Sequence, residues 1–342
     1  WRIIFSVISK SAIMKIVDKK KEIKKHLRQA KSIFIMSHKD LDLDALGSSL
    51  GMYFLLSRLH KNCYLIIDDK RHELGVAKVL QELDGCINIL TSDKVEDNLY
   101  IRQKRNLLLI LDTNKTDLIQ SSKVLDFFLE DQIIIFDHHD TGATSIESSL
   151  RIIDNEVSST CEMVTNLLES YQITLDPYYA TLILAGVVLD TNNFTLKTNA
   201  NTYYSAYYLA MMGASSKKVQ YLLKQDLKEY MERQTMITNV DILNEKIAIS
   251  KGSPYTIYRK DELAKTADTL LFFNNIELSF VIGKINEKDV YVSGRSLGKY
   301  NVANILGKLG GGGDQMGAAA RISNSSISKV EQKLLQILKK EE

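Results

Sequence analysis

Acidic and imidazole side chains follow the apolar runs of this 342-residue chain at the points where the runs end. Three of these runs are strand-like (residues 33–36, 107–111 and 133–136), and the fourth is the helical run 177–189. The side chains that follow them are, in chain order, His38, Asp42 and Asp44; Asp112; Asp137, His138 and His139; and Asp190. Ligands of open α/β sheets bind beyond the carboxyl ends of the strands, so we expect these side chains at one rim.

A single Asp after a strand is more often a turn former or helix cap, and Asp44 alone could cap the helix that follows it. Four clusters together favour another interpretation. So many carboxylates would raise each other's pKa unless cations neutralised them. Carboxylate and imidazole ligands suit Mn²⁺, Mg²⁺ or Fe²⁺, and a set without cysteine argues against a thiolate zinc site. The pattern predicts two cations about 3.5–4 Å apart, an arrangement typical of displacement at phosphorus.

The elements that must position these groups are short strands alternating with helices. Runs 63–67, 107–111 and 133–136 are rich in Ile and Leu without alternation, as in strands buried on both faces of a parallel sheet. Helix-length amphipathic stretches at 45–58 and 75–83 lie between the runs, which predicts a doubly wound α/β domain. A helical connector follows, with helices expected at 161–170, 177–189, 202–212 and 217–231.

Beyond about residue 239 the pattern changes to strands at 246–250, 279–284 and 289–294, and to helices at 301–309 and 328–340. We expect a second, smaller α/β domain with a mixed sheet there. The predicted divisions are a lead-in helix or stalk at 1–30, a metal-binding catalytic domain with its connector at 31–235, and a substrate-binding domain at 236–342.

The composition is globular: 45% of residues are hydrophobic and 25% charged, with 17 Gly and 2 Pro. The 44 basic and 42 acidic residues give a net charge of +2, so an anionic ligand requires a local site. The three cysteines form no CxxC pair and indicate reduced thiols in the cytoplasm. Residues 1–17 are apolar but interrupted by charges, which favours an amphipathic lead-in helix over a stalk that continues from upstream regions.

The series His38-x3-Asp42-x-Asp44, Asp112-Thr-Asn, Asp137-His138-His139 and Asp190-Thr resembles the motifs of the DHH phosphoesterases. Further stretches resemble one branch of that family, the cyclic-di-AMP phosphodiesterases of the membrane-anchored GdpP type. These stretches are 158–160, 195–198 with 202–203, 213–214, 219–227, 268–271, 279–283, 294–298 with 301–302, and 310–313. As a set they are far more specific than a lone DHH tripeptide.

The resemblance implies an Mn²⁺-dependent phosphodiesterase that opens cyclic di-AMP to linear 5′-pApA, through water that two metal ions activate to attack phosphorus. It implies that His38 and Asp42 hold one ion, that Asp44, His138 and Asp190 hold the other, and that Asp112 bridges them. Asp137 would orient His138 from outside the ligand set, and His139 would lie near the phosphate. Asp40 matches no ligand position and is interpreted as an exposed loop carboxylate.

In the second domain the resemblance points to Arg295, Ser296 and Gly311, Gly312 and Gly313 as substrate-binding residues. An Arg can fork onto a phosphate or stack on a base, and glycines let backbone N–H groups approach an anion. The alternative for Arg295 is a surface arginine after a strand, and the alternative for the glycines is a flexible linker or a helix C-cap. The family has a histidine where this chain has Asp314, which accepts hydrogen bonds and repels anions. Three explanations of this departure are open. Asp314 points away from the ligand or bonds an adenine amino group; the substrate range has shifted; or cleavage of linear dinucleotides is weakened.

Two other functions remain open. One is an oligoribonuclease or nucleotide phosphatase acting on short linear nucleotides such as pApA; the other is a catalytically weak cyclic-dinucleotide sensor, supported by Asp314. The near-zero net charge argues against long nucleic acid as a partner, because long single strands require a basic channel. The resemblance further implies a homodimer and a cytoplasmic catalytic portion tethered to the membrane only through regions upstream of residue 1.

Overall fold

The computed structural model describes residues 10–68, 72–97, 105–142 and 144–339. Tertiary packing divides the chain into two units, Trp1–Lys224 (unit 1) and Gln225–Glu342 (unit 2). The division precedes the helix Leu227–Thr238, which the sequence analysis assigned to the connector.

Within its described residues, unit 1 forms a six-stranded sheet in which all paired strands are parallel. The order β3-β2-β1-β4-β5-β6 confirms the predicted doubly wound architecture. The strands are β1 (Ser32–Met36), β2 (Asn62–Ile66), β3 (Ile89–Leu90), β4 (Asn106–Leu111), β5 (Ile133–Asp137) and β6 (Leu150–Ile153). The short β3 and the strand β6 were missed from the sequence.

The α-helices of unit 1 pack on this sheet directly or through one another. They are α1 (Lys10–Gln29), α2 (Leu43–Arg58), α3 (Leu74–Glu82), α4 (Ser92–Asp97), α5 (Thr160–Ser170), α6 (Pro177–Asp190), α7 (Ala200–Met211) and α8 (Ser216–Leu222). Alternate residues of β1 enter different cores: Ile33 and Ile35 pack with α2, α5 and α6, whereas Phe34 and Met36 pack on the other face. Both faces are therefore covered, which is why the strands show no polar alternation.

Helices α2, α5 and α6 approach each other closely because glycines stand at the crossing. A Cβ on Gly47 would lie 2.7 Å from the carbonyl oxygen of Leu182 in α6. A Cβ on Gly186 would lie 2.4 Å from Sγ of Cys161 and 2.8 Å from Cα of Asp44. In α6 every residue from Ala180 to Val188 is buried, so this helix has no solvent face over most of its length.

Unit 2 contains, in the part of the chain described, a mixed sheet, as predicted; it has six strands in the order β11-β12-β10-β9-β8-β7, of which β7, β11 and β12 were not predicted. The strands are β7 (Val240–Leu243), β8 (Ile247–Lys251), β9 (Leu278–Lys284), β10 (Val290–Ser296), β11 (Gly312–Gly313) and β12 (Gly317–Ile322). The helices are α9 (Leu227–Thr238), α10 (Lys260–Leu270), α11 (Val302–Gly307) and α12 (Ile327–Leu338). Strands β8 and β9 are parallel, and the other pairs are antiparallel.

The helix predicted over 217–231 is wrong as a single element, because α8 ends at Leu222 and α9 begins at Leu227. Asp226 separates them: its Oδ1 accepts hydrogen bonds from the backbone N–H groups of Lys228 and Glu229. This N-cap starts a new helix where the apolar pattern alone suggested continuity.

Helix α1 (Lys10–Gln29) buries Ile23 and Leu27 in the core of unit 1, and Ala30 just after it is buried there too. The expectation for residues 1–17 falls partly on residues 1–9, which lie outside the described ranges. Within those ranges, no helix has the length and apolar character needed to cross a membrane. Cys63, Cys86 and Cys161 carry free thiols.

Candidate metal centre

The centre lies where the strand order of the parallel sheet reverses, between the neighbours β1 and β4. In such sheets the loops beyond the two strands diverge and leave a crevice for ligands. The loop after β1 carries His38 and Asp42, and Asp44 lies in the first turn of α2. Asp112 follows β4 directly, and three further groups come from neighbouring ends: Asp137 is the last residue of β5, His138 follows it, and Asp190 is the last residue of α6.

Asp112 lies between two imidazoles. Its Oδ2 is 3.4 Å from Nε2 of His38, which is also 3.6 Å from Oδ1 of Asp42. Its Oδ1 is 3.4 Å from Nε2 of His138, which is also 3.2 Å from Oδ2 of Asp190. One carboxylate is thus shared by two groups of donor atoms, as a bridging ligand requires.

The start of helix α5 fixes two of these carboxylates. The backbone N–H groups of Thr160 and Cys161 donate to Asp44 Oδ2 and Oδ1 over 2.8 and 2.9 Å. The Thr160 hydroxyl donates to Asp112 Oδ1 over 2.9 Å. Free N–H groups at a helix start favour a negative charge. Thr160 is therefore a supporting residue that the sequence analysis noted only within a motif stretch, without a role.

Two local backbone features aim the loop ligands. Asp42 caps α2, since its Oδ1 accepts hydrogen bonds from the N–H groups of Asp44 and Ala45. Asp112 has φ +62°, a left-handed conformation that is uncommon for a residue other than glycine. Such strained positions concentrate at functional sites, where the surrounding structure enforces them.

Burial and mutual repulsion raise the pKa of the Asp44 carboxyl well above its ordinary value. Burial likewise raises the pKa of Asp190, although the nearby imidazole of His138 acts to lower it. Asp112 differs: burial acts to raise its pKa, but His138 and His38 outweigh burial and hold the pKa well below its ordinary value. One deeply placed carboxylate therefore stays ionised between two imidazoles.

The pKa values of the two imidazoles are raised, whereas that of Asp112 is lowered. Burial acts to lower the pKa of His38, but Asp42 and Asp112 raise it well above the ordinary value. Burial also acts to lower the pKa of His138, and Asp112 and Asp190 overcome it in the same way. The carboxylates thus favour positive charge at both positions, and a bound cation would supply that charge in place of the protons.

The described residues offer three groups of donor atoms within 4.8 Å of one another. They are His38, Asp42 and Asp112; Asp44, His138 and Asp190; and Asp112, His138 and His139. Both ring nitrogens of the buried His138 make no hydrogen bond within the described chain, and buried polar atoms rarely remain so. The donor set suits hard or borderline divalent cations. The first two groups contain the same residues as the two ligand sets that the resemblance implies. That these residues bind metal ions stays a prediction.

Asp137 contacts a different histidine from the one expected. Its Oδ1 lies 2.8 Å from Nδ1 of His139, and its Oδ2 accepts a hydrogen bond from Asn114 Nδ2 over 2.6 Å. The expectation that Asp137 orients His138 is corrected accordingly. His138 turns into the buried centre, and the half-exposed His139 is held by the Asn114–Asp137 pair.

We expect Asp137→Asn to lower kcat of a hydrolysis catalysed at this centre by about 10- to 100-fold, since partners that orient imidazoles at a metal centre typically matter by that factor. The number of bound metal ions should not change, because Asp137 holds His139 rather than the buried ligands. Steady-state kinetics with metal analysis checks this, and Asp140→Asn on the exposed loop is the control. A parallel loss of metal would contradict the assignment.

A cavity of about 300 Å³ opens above the centre. Besides His38, Asp42, Asp112, Asp137, His139 and Asp190, it is lined by Asp40, Thr113, Asn114, Lys115 and Leu118. Asp40 was interpreted as an exposed loop carboxylate, and it is exposed but faces the cavity. Asn114 and Lys115 were missed as lining residues. The sequence feature that could have identified them is their position two and three residues after Asp112, in the same loop.

In unit 2, Arg295 lies near the end of β10 and is held on one side. Its Nε donates to Asp268 Oδ1 over 2.7 Å, and its Nη1 donates to the Gly294 carbonyl over 3.0 Å. Burial raises the pKa of Asp268, although the Arg295 charge acts to lower it. Ser296 is buried, and its Oγ accepts hydrogen bonds from the N–H groups of Gly298 and Tyr300.

The glycine run forms the edge of the second sheet. Gly312 and Gly313 pair with β12, and a Cβ on Gly311 would lie 2.2 Å from the carbonyl oxygen of Ala319. The close approach that these glycines permit is therefore to β12. Asp314 turns the chain into that strand, because its Oδ1 accepts hydrogen bonds from the N–H groups of Met316 and Gly317 over 2.7 and 2.8 Å. Substrate binding by this segment stays a prediction.

Comparison with family models finds two matches in chain order. The model of the DHH family N-terminal domain matches residues 32–187, and the model of the DHHA1 domain matches residues 244–341. The first match includes six of the seven residues grouped here as candidate ligands, and Asp190 lies just beyond its end.

Among curated proteins, the cyclic-di-AMP phosphodiesterase GdpP of Geobacillus thermodenitrificans is 35% identical over 313 residues, covering 90% of this chain and 47% of that protein. The cyclic-di-AMP phosphodiesterase PdeA of Listeria monocytogenes is 31% identical over 317 residues, with the same two coverages. The bifunctional oligoribonuclease and PAP phosphatase NrnA of Thermus thermophilus is 24% identical over 311 residues, covering 90% of each. The chain thus spans about half the length of the two phosphodiesterases.

Among solved structures, an exopolyphosphatase-related protein from Bacteroides fragilis superimposes with a TM-score of 0.76 at 20% identity. The match covers 98% of this chain and 97% of that one. At this identity the likeness establishes the fold alone.

Proposed function

Because the chain belongs to the DHH family and carries a DHHA1 domain after its DHH domain, we propose that it is an Mn²⁺-dependent phosphodiesterase that hydrolyses cyclic di-AMP to linear 5′-pApA. The observation that supports this most strongly is Asp112, whose two oxygens lie 3.4 Å from the imidazoles of two separate donor groups. The nucleotide follows from the named activity of the relatives that are 31–35% identical.

In this proposal His38 and Asp42 hold one cation, Asp44, His138 and Asp190 hold the second, and Asp112 contacts both. Two such cations supply a water of lowered pKa and stabilise charge on the phosphorus oxygens. The chain's own contribution is placement. Helix α5 fixes Asp44 and Asp112 through Thr160 and Cys161, so these carboxylates need little reorganisation when the charges change.

His139 supplies a further group at the cavity. Asp137 accepts from Nδ1 of this imidazole, which keeps the proton at that atom and leaves Nε2 available to a substrate oxygen. When Nε2 also carries a proton, a half-exposed imidazole held in one orientation can donate to a phosphate oxygen or pass that proton to the leaving oxygen.

Arg295 is the residue of unit 2 that we propose contacts the nucleotide. Its Nε and Nη1 bond Asp268 and Gly294, and these two hydrogen bonds do not use Nη2, which could therefore donate to a ligand. We expect Arg295→Ala to raise KM for cyclic di-AMP by about 10- to 100-fold with little change in kcat, as for loss of a charge-assisted hydrogen bond. Initial-rate kinetics measures the split. Arg321→Ala, which removes the arginine paired with Asp289 in the same unit, is the matched control. A fall in kcat at unchanged KM would contradict the role.

The test of the function is a product assay on the purified chain with Mn²⁺ and, separately, with chelator. Cyclic di-AMP, cyclic di-GMP and linear pApA are offered in parallel. Metal-dependent conversion of cyclic di-AMP to pApA is the expected result. Hydrolysis of pApA to AMP with cyclic di-AMP left intact would replace the proposal by the oligoribonuclease or phosphatase alternative, which the NrnA relative favours. Nucleotide binding without turnover would favour the sensor alternative.

The finer points of metal, assembly and location belong to the same proposal. Mn²⁺ is the ion that the family resemblance implies, and the donor set of carboxylates with two imidazoles also suits Mg²⁺ or Fe²⁺. A homodimer and a cytoplasmic location remain expectations from the family. Light scattering of the purified chain tests the first.

A further inference from the structure

Lys115 faces the cavity above the metal centre, three residues after Asp112. The other ionisable groups that line the cavity within the described chain are carboxylates and imidazoles: Asp40, Asp42, Asp112, Asp137, Asp190, His38 and His139. Among the lining residues Lys115 is thus the one that carries a permanent positive charge at neutral pH. This charge has no role in holding metal ions.

The fold holds Lys115 at this edge by its backbone. Its N–H donates to Thr113 Oγ1 over 3.4 Å, its carbonyl accepts from the Leu118 N–H over 3.2 Å, and it forms an isolated antiparallel bridge with Ser145. The side chain runs along Gly142, where a Cβ would lie 3.5 Å from Cε and 4.0 Å from Nζ of the lysine. The end of the lysine side chain therefore lies close to the loop that contains Gly142.

The ammonium group makes no hydrogen bond or ion pair within the described residues. Its neighbour Lys39 differs, since Lys39 Nζ donates to the Asp117 carbonyl over 2.8 Å. The exposed carboxylate of Asp117 is the nearby opposite charge: the Thr144 hydrogen bond lowers its pKa most, and Lys39 and Lys115 add to this from a distance. The Lys115 charge is therefore available to a ligand.

A charge count indicates which ligand. Two divalent cations balance the four carboxylates of Asp42, Asp44, Asp112 and Asp190. The phosphate that is cut would be bound at the cations. A dinucleotide carries a second phosphate, and its negative charge enters a cavity that also holds the carboxylates of Asp40 and Asp137. Without a cation at the rim, this phosphate would be repelled.

On the premise of the proposed function, we propose that Lys115 binds the phosphate of the dinucleotide that is not being cut. The lysine then sets a preference for substrates with a second phosphate over simple phosphodiesters. It contributes to binding of the substrate rather than to the bond-breaking step, so its loss should appear in KM.

The test compares two substrate classes on the same enzyme with Mn²⁺. Lys115→Ala is expected to raise KM for cyclic di-AMP and for pApA by about 10- to 100-fold, and to leave kcat/KM for bis(p-nitrophenyl) phosphate, which has one phosphate, unchanged. Lys115→Arg should restore most of the loss. Lys123→Ala, an exposed lysine that does not line the cavity, is the control. Calorimetric binding of a phosphorothioate cyclic di-AMP gives a readout besides turnover.

An equal loss on the one-phosphate and two-phosphate substrates would overturn the inference, because Lys115 would then act at the phosphate being cut or on the metal centre. Unchanged KM and unchanged analogue binding would overturn it as well. If the unsubstituted enzyme cuts bis(p-nitrophenyl) phosphate and pApA but leaves cyclic di-AMP intact, the proposed function fails. The role of Lys115 is then tested by comparing Lys115→Ala with the unsubstituted enzyme on pApA.

Discussion

Asp112→Ala is expected to lower phosphodiesterase activity by at least about 10³-fold and to reduce the bound Mn²⁺ to one ion or none per chain. Each cation contributes several kcal/mol of charge stabilisation, and about 4 kcal/mol corresponds to a factor of 10³. This carboxylate lies 3.4 Å from both His38 and His138, so its loss affects both donor groups at once. Activity and metal content are measured on the same preparations.

The control for Asp112→Ala is Asp117→Ala, which removes an exposed carboxylate from the same loop. Asp117→Ala should retain both ions and near-normal activity. Thermal unfolding of both variants separates a metal defect from misfolding. If Asp112→Ala bound two ions per chain and lost little activity, the shared-ligand interpretation would be wrong.

Gly186→Leu is expected to destabilise unit 1 by about 3 kcal/mol or more. In an open helix a larger residue would gain about 1 kcal/mol over glycine. At Gly186 the first added carbon already lies 2.4 Å from Cys161 Sγ and 2.8 Å from Asp44 Cα, and Asp44 Cα is backbone that cannot rotate away. Overpacking typically costs about 1–3 kcal/mol and occasionally more. Because leucine adds four carbons against backbone here, we expect a cost of about 4 kcal/mol, so about 3 kcal/mol remains after the gain in helix propensity is subtracted.

Thermal unfolding measures the effect, and about 3 kcal/mol corresponds to a fall in Tm of roughly 6–12 °C for a domain of this size. Gly307→Leu is the matched control, because nothing lies within 4 Å of a Cβ at that position in α11. Metal binding by Gly186→Leu should also weaken, since Asp44 must move. A Tm equal to that of the unsubstituted protein would show that α2 and α6 can separate without cost.

The sequence predicted the membership of the centre because its residues follow the ends of buried strands, where topology alone brings them together. It could not predict the partner of Asp137. His138 and His139 are adjacent, and which ring turns inward depends on packing against Asp112 and Asp190. The cap at Asp226 was hidden within an apolar pattern that fits one long helix.

Unit 2 shows where local preference is overruled. Strand β12 has the sequence GAAARI, and its alanines favour helix, yet pairing with β10 makes it a strand. Helix α10 was missed because few of its residues are apolar; it buries Leu263, Ala267 and Leu270 on one side. The glycine run correctly predicted a close approach by another group, but the sequence alone does not show that this group is the backbone of β12 in the same sheet.

Helix α6 also determines where the chain tolerates insertions and deletions. The helix is buried from Ala180 to Val188 and ends at Asp190, so its register fixes the direction of that carboxylate. One added residue within this stretch would rotate Asp190 by about 100° and shift it by about 1.5 Å, away from His138. Length changes are therefore excluded between Ala180 and Asp190 and are better accommodated in the loop before α7.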